Sequence, residues 1–435
     1  MVTKRINVLS LLVLVIAFLC VTFSNLRYGG SDPRASLLVT ESIIDHKTIK
    51  LDHYDAQVRN GYGVAIHEKN GHFYYYFPIG TSIASIPFVA VAKGWGFQIV
   101  QSEYQIQMMI ASITAVATLA LMIMLARRFL GPWNALFVSS AFWFGTSLAS
   151  TSGTALWSHN FAVVFSFLAI YFAVKSAQDN SPGVWPGIAL FLFFAYLCRP
   201  TLALLSPCVL LFLFTHHRKS AVKCALLLAV LIGCFIGFSL HEFGQILPDY
   251  YLPKRLAGGY FAQALYGNLL SPARGLLIYS PFILIAWLCY RSGEKSWSIK
   301  KSWLLVGLAW PVIHLLFISR FPHWWAGYSF GARLMTDVLP GLFLLTLFTW
   351  PVSIYGLRAK VGIGLLALSI LFSIAVNTYS GLFNQWTAAW NSEPSIDQYP
   401  EYLFDWSYPQ FLGSKKRHEK RLREHTERLL SRNGS

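Results

Sequence analysis

The sequence predicts an all-α polytopic membrane protein with about eleven transmembrane helices. Three observations point there. Of 435 residues, 55% are hydrophobic and only 12% are charged, a balance foreign to soluble domains. The apolar residues gather into runs long enough to cross hydrocarbon, where a helix satisfies its own backbone. Basic residues recur in the short turns joining alternate runs.

The predicted spans are 6–24, 104–126, 133–149, 160–177, 184–198, 201–215, 221–239, 275–290, 303–318, 334–350 and 361–378. Lys4 and Arg5 precede the first run, and no small-residue cleavage site follows it, so an uncleaved helix is expected rather than a signal peptide. With the N-terminus inside, the cytoplasmic turns carry Arg127, Arg128, Lys175, Arg218, Lys219, Lys223, Arg291, Lys295, Lys300, Lys301, Arg358 and Lys360. Those turns account for much of the +16 net charge, and no basic stripe with interleaved aromatics points to nucleic acid. Residues 81–91 are apolar but short and broken by Pro87; they are expected to form an interfacial or re-entrant helix. Counting them as a span would put the basic turns on the wrong side.

The opposite face then holds residues 25–103, 240–274, 319–333 and the stretch after 379. Within 33–46, Leu37 and Leu38 pair with Ile43 and Ile44, a spacing for a helix lying on the membrane. Residues 64–77 read as a hairpin around Asn70-Gly71. The organisation expected is one membrane domain, 1–412, and a basic amphipathic tail, 413–435, suited to anionic headgroups although eleven spans leave it outside. Cys20, Cys198, Cys208, Cys224, Cys234 and Cys289 all lie in apolar runs and are expected to be buried hydrophobes. Walker loops, Rossmann glycines and metal-protease motifs are absent from the sequence; no residues are assigned to a metal, and a divalent cation is left open.

The candidate chemistry crowds the outer face. Asp32 follows the first span directly; Asp before Pro33 is a good helix cap, and a capped carboxylate is also a well-held base. Arg199, Arg255, Arg274, Arg320 and Arg333 lie at span ends or in outer loops. Each could snorkel to lipid phosphate, or offer its planar fork to the phosphate of a ligand. His159 opens a span, either as an interfacial helix start or as a polar contact near that phosphate. Glu242 and Asp249 are possible second carboxylates, and Asp337 stands one turn beyond Arg333, a spacing for an intrahelical ion pair.

Ordered motifs give a resemblance. Asp32 after the first span, Tyr75-Tyr76-Phe77-Pro78-Ile79-Gly80-Thr81, Trp157-Ser158-His159, the 270–281 segment around Ser271-Pro272-Ala273-Arg274-Gly275, Trp325-Ala326-Gly327-Tyr328-Ser329-Phe330-Gly331-Ala332-Arg333 and the 403–410 stretch follow in sequence. Together they resemble the GT-C glycosyltransferases that use polyprenyl-phosphate sugars, in the branch of protein O-mannosyltransferases and lipid A aminoarabinose transferases. The resemblance implies a GT-C-like helix arrangement and an active site on the extracytoplasmic face of a bacterial-type inner membrane. It implies a polyprenyl-phosphate sugar donor and a hydroxyl acceptor on a glycan, lipid or protein. It matches Asp32 to the catalytic aspartate, and Arg274 and Arg333 to outer-loop holders of the carrier phosphate. Arg199, Arg255, His159, Tyr76 and Tyr328 complete the expected substrate contacts. The sequence departs from the pattern in having Pro33 after Asp32 and no acid beside His159. The competing readings are a transporter or flippase of an anionic amphiphile, and an envelope ligase or polymerase.

Overall fold

The computed structural model describes residues 2–26, 30–256, 258–288, 298–350 and 357–433. Cys289, Arg291 and Lys295 lie outside the described residues, as do the side chains of Lys300, Lys301 and Arg358. Among the described residues, Arg5–Thr22, Ile99–Ala126, Ser158–Gln178, Arg218–Phe243 and Lys360–Ser380 are long and apolar enough to cross a membrane. The shorter apolar helices Pro182–Cys198, Pro200–His216 and Val306–Ile318 pack among them. The predicted spans at 133–149 and 334–350 are helical over less than their length, at Pro132–Phe144 and Leu339–Thr349. One continuous core joins the bundle, with Phe142, Phe167, Ile170, Phe282 and Phe343 fully buried between helices.

Hydrogen bonds sort the connections onto two faces. On one, Arg128 grips Asp179 at 2.8 Å, Arg127 reaches Ser10, and His217 meets the Ser176 carbonyl. These are the turns that the charge bias assigned to a single side. On the other face the four predicted outer segments meet one another. Asn25 and Leu26 donate to the Leu382 carbonyl, Lys69 pairs with Asp249, and Arg274 reaches both Trp325 and Gln410.

The expected hairpin is present. Ile66–Lys69 pairs antiparallel with His72–Tyr75, and Asn70 and Gly71 take φ of 53° and 75°, as a two-residue turn between right-twisted strands requires. The helix expected from 33–46 runs from Ser36 to His46, but protein covers it. Leu37, Leu38 and Val39 are buried under Gly80–Ala84, Ile86–Gly94 and Ile99–Ala126, so its apolar face meets the bundle rather than lipid. Its first turn is capped from another element: the Glu103 carboxylate accepts from the Leu37 N–H at 3.2 Å.

Residues 81–91 divide between Gly80–Ala84 and Ile86–Gly94, with Pro87 in the first turn of the second helix. Gly80 is obligatory there: a Cβ would lie 2.4 Å from backbone atoms of Leu197 and Cys198. That close approach seats the first loop beside Arg199. The tail forms the helix Lys415–Asn433 on the same face as the outer loops. Arg421 anchors it, buried between the rings of Trp390 and Tyr402 and donating to the Trp390 carbonyl at 2.7 Å. Cys198 and Cys224 are buried as expected; Cys234 is exposed on its membrane helix, where an apolar thiol faces outward without cost.

Candidate functional site

Asp32 is 2% exposed, on a loop that the first span delivers to the bundle. It does not cap the helix that follows it. That helix begins at Ser36, behind Ala35 in a left-handed conformation. Instead its carboxylate caps a distant helix, accepting from the Ser158 N–H at 3.1 Å and the Ser158 hydroxyl at 2.6 Å. Ser158 opens the 21-residue helix Ser158–Gln178, so Asp32 sits at the positive end of a long dipole. On its other side Arg333 donates to Oδ1 at 2.6 Å. The Tyr75 hydroxyl holds the Asp32 backbone carbonyl. Burial pushes the Asp32 carboxyl up, but Arg333, then Arg199, His159 and the Ser158 hydroxyl outweigh it and hold it well below the usual carboxylate range.

Arg333 is presented by Arg333–Val338, a tight turn entered through Gly331 at φ 59°. A side chain at Gly331 would also strike the Tyr279 ring, 2.7 Å from a built Cβ. The guanidinium lies 3.6 Å from the Trp157 ring centroid and gives one bond to the Ala326 carbonyl; its Nε is buried without a partner. Arg333 is thus stacked on an aromatic face with one donor unused.

A second ion pair adjoins the first. Asp337 is fully buried and accepts from His159 Nδ1 at 2.7 Å, Arg199 Nε at 3.2 Å and Thr201 Oγ1 at 2.6 Å. Its partner is thus Arg199, and the intrahelical pair expected with Arg333 does not form: the 333–338 turn is 3₁₀, and Arg333 is drawn to Asp32. Arg199 Nη1 bridges the two pairs, reaching the Ser158 hydroxyl at 3.4 Å and the Tyr250 hydroxyl at 3.5 Å. Two buried carboxylates and two buried arginines therefore form one nearly balanced array, with Ser158 and His159 each holding one acid.

The remaining candidates divide. Tyr76 packs against Tyr250 with ring centroids 5.8 Å apart, one contact from Arg199. Arg255, half-buried, stacks 3.8 Å over the same Tyr250 ring. Arg274 is held quite differently from Arg333. Nε donates to Trp325 O, Nη1 to Ala273 O and Gln410 Oε1, and Nη2 to Gly327 O and Asn391 Oδ1. Those bonds use all five of its N–H groups, so it clamps loops together and has no donor to offer a phosphate. Tyr328 is 42% exposed and bonded to Ser395 at 2.7 Å, on the rim. Glu242 and Asp249 are partly exposed and paired with lysines, so neither is a second buried acid. Among the described residues, no three His, Cys, Asp or Glu side chains cluster so as to hold a metal ion.

A narrow aromatic crevice separates the hairpin from residues 235–251. Its lining runs from Phe235 and Phe238 on a membrane helix to Tyr75 and Tyr76 beside the array.

Residues 87–241 match the family model described as dolichyl-phosphate-mannose-protein mannosyltransferase. The matched segment contains Ser158, His159 and Arg199. Among solved structures, the chain is similar to ArnT from Cupriavidus metallidurans bound to undecaprenyl phosphate: 14% identity over 94% of this chain and 75% of that one, with a TM-score of 0.52. The fold is GT-C. No curated protein matches the sequence. At this identity the likeness speaks for architecture, and the chemistry has to be argued from the array itself. In this GT-C fold, Asp32 and Arg333 come from outside the matched segment and close on it from the first and the 319–333 loops.

Proposed function

We propose that this chain is a membrane glycosyltransferase that moves a monosaccharide from a polyprenyl-phosphate carrier to an acceptor hydroxyl at the extracytoplasmic face, with inversion. The observation that carries the reading is the buried Asp32–Arg333 pair at the start of the Ser158 helix. The GT-C fold and the undecaprenyl phosphate bound by its ArnT relative support the carrier class.

The reaction would run as a single displacement. The acceptor oxygen attacks the anomeric carbon as its proton passes to Asp32. The bond from that carbon to the phosphate oxygen breaks, and its electron pair leaves with the polyprenyl phosphate. Two charge changes coincide: Asp32 becomes neutral as the phosphate gains negative charge. Arg333 therefore loses its first partner at the moment a second one develops, and transition-state stabilisation comes from an arginine already in place. The low basicity of Asp32 in the resting pair is relieved by the same exchange. Arg199, Arg255 and Tyr76 meet at Tyr250 beside the pair, and the aromatic crevice next to Tyr75 and Tyr76 is where the carrier's apolar chain would approach. Arg274 and Tyr328 support the loops from further out.

The test is turnover by purified protein in lipid with a panel of polyprenyl-phosphate sugars and simple hydroxyl acceptors. Release of free polyprenyl phosphate with an inverted product supports the reading. Movement of intact donor across the bilayer without bond cleavage would replace it with transport.

A further inference from the structure

His159 and Asp337 form a unit that the displacement just described does not use. The His159 ring is fully buried, and Nδ1 is 2.7 Å from Asp337 Oδ1. Asp337 is itself fixed by Arg199 and Thr201. A carboxylate on Nδ1 selects the tautomer carrying its proton there and leaves Nε2 as an acceptor. Nε2 is buried and has no partner. An acceptor buried without a partner is costly, so Nε2 is poised to take a donor brought by a ligand. Arg199 ties the two acids together, donating to Asp337 and reaching the Ser158 hydroxyl that binds Asp32. The unpaired acceptor therefore belongs to the same hydrogen-bonded network as Arg333, whose Nε donor is also unpaired.

We propose that His159 Nε2 receives a hydrogen bond from a hydroxyl of the bound sugar or of the acceptor, and that Asp337 is the positioning residue that fixes it for this. The inference rests on the glycosyltransferase reading. A hydroxyl is the chemistry that fits, because it donates to a neutral imidazole and can also accept from an arginine N–H. A carboxylate or phosphate oxygen has no proton to give. Asp337 thereby supplies, from a remote turn, the carboxylate missing from the sequence beside His159.

Substitutions can separate the two nitrogens. In His159→Asn the amide can still donate to Asp337 from roughly the Nδ1 position, while the Nε2 position is lost. The expected result is a folded protein whose melting temperature stays within a few degrees of wild type. Polyprenyl phosphate alone should bind as before, and turnover should fall about 10- to 100-fold. His159→Gln, which can return an oxygen near the Nε2 position, should recover part of that loss. Asp337→Asn should also lower turnover, without the recovery.

Acceptor-free hydrolysis tells the sources apart. If the hydroxyl belongs to the sugar, hydrolysis to water falls together with transfer, and one monodeoxy donor loses far less in the variant than in wild type. If it belongs to the acceptor, hydrolysis is unchanged and the acceptor's KM rises. Wild-type turnover and KM in His159→Asn would overturn the inference while leaving the glycosyltransferase reading intact. A His159→Asn chain that fails to fold leaves the decision to His159→Gln, where the loss of turnover with no dependence on any donor or acceptor hydroxyl overturns it. A wild-type chain inert to every donor overturns the underlying reading, and this inference with it.

Discussion

Arg333 and Arg274 flank the same glycine-rich loop, and both are almost completely buried, yet they are held in opposite ways. Arg274 spends five N–H groups on neutral carbonyl and amide oxygens contributed by Ala273, Trp325, Gly327, Asn391 and Gln410. Arg333 keeps one strong bond to a carboxylate, one carbonyl contact, an aromatic face and an unused Nε. The first arrangement resists any exchange, since each broken bond strands a buried acceptor. The second rests mainly on one anion and leaves a donor unspent. An arginine's burial therefore says little about its role; the charge and number of its acceptors say more.

Four substitutions sharpen this contrast. Asp32→Asn should have the largest effect, lowering turnover by about 10²–10⁴-fold while the fold persists, because the amide keeps the Ser158 bonds but cannot take a proton. A near-normal rate would remove Asp32 as the base. Arg274→Ala should lower stability by about 3 kcal/mol or more, read as a large drop in melting temperature in detergent, because several buried acceptors lose their donors at once. If instead the variant melts normally and loses carrier affinity, the clamp and the phosphate holder have been assigned the wrong way round. Arg333→Lys should weaken carrier use about tenfold with a smaller change in melting temperature, a point charge being a poor substitute for the stacked fork. Tyr328→Phe should change turnover less than twofold, as expected for a rim hydroxyl that can turn to water.

Acidification gives a smaller test, away from the array. The hydrogen bond from Lys69 lowers the Asp249 carboxyl to about 2, against burial that raises it. A depressed carboxyl contributes stability that is full above the unfolded value of about 3.9 and is lost as pH falls through the folded value. Exchange protection of the hairpin should therefore hold at neutral pH and weaken between pH 4 and 2. Equal protection across that range would show that Asp249 does not dock the hairpin.

Much of this was legible along the chain, and what was missed has a common cause. Apolar runs and the Asn70-Gly71 hairpin are local signals, and the fold carries them as expected. Asp32, His159, Arg199 and Arg333 were marked by being polar at a membrane face, and they converge. Local spacing misleads wherever tertiary packing supplies a different partner. Asp32 before Pro33 looks like a cap for the next helix, but it caps a helix that begins 126 residues later. Asp337 one turn after Arg333 looks like its ion-pair partner, but tertiary packing gives each a partner from another loop. Glu103 stands just before an apolar run, among Gln101, Ser102 and Gln105, and its role as a cap for Ser36–His46 exists only in three dimensions. Arg274 was indistinguishable from Arg333 in sequence, because the carbonyls that saturate it come from remote loops.

The most direct test of the exchange at Arg333 is the equilibrium affinity of polyprenyl phosphate for wild type and Asp32→Asn, measured in the same lipid. If the carrier phosphate takes Arg333 over from Asp32, removing the carboxylate's charge should leave binding as tight or tighten it, even though turnover is lost. Weaker binding to folded Asp32→Asn would mean that the pair is a fixed structural element and that the phosphate is held elsewhere.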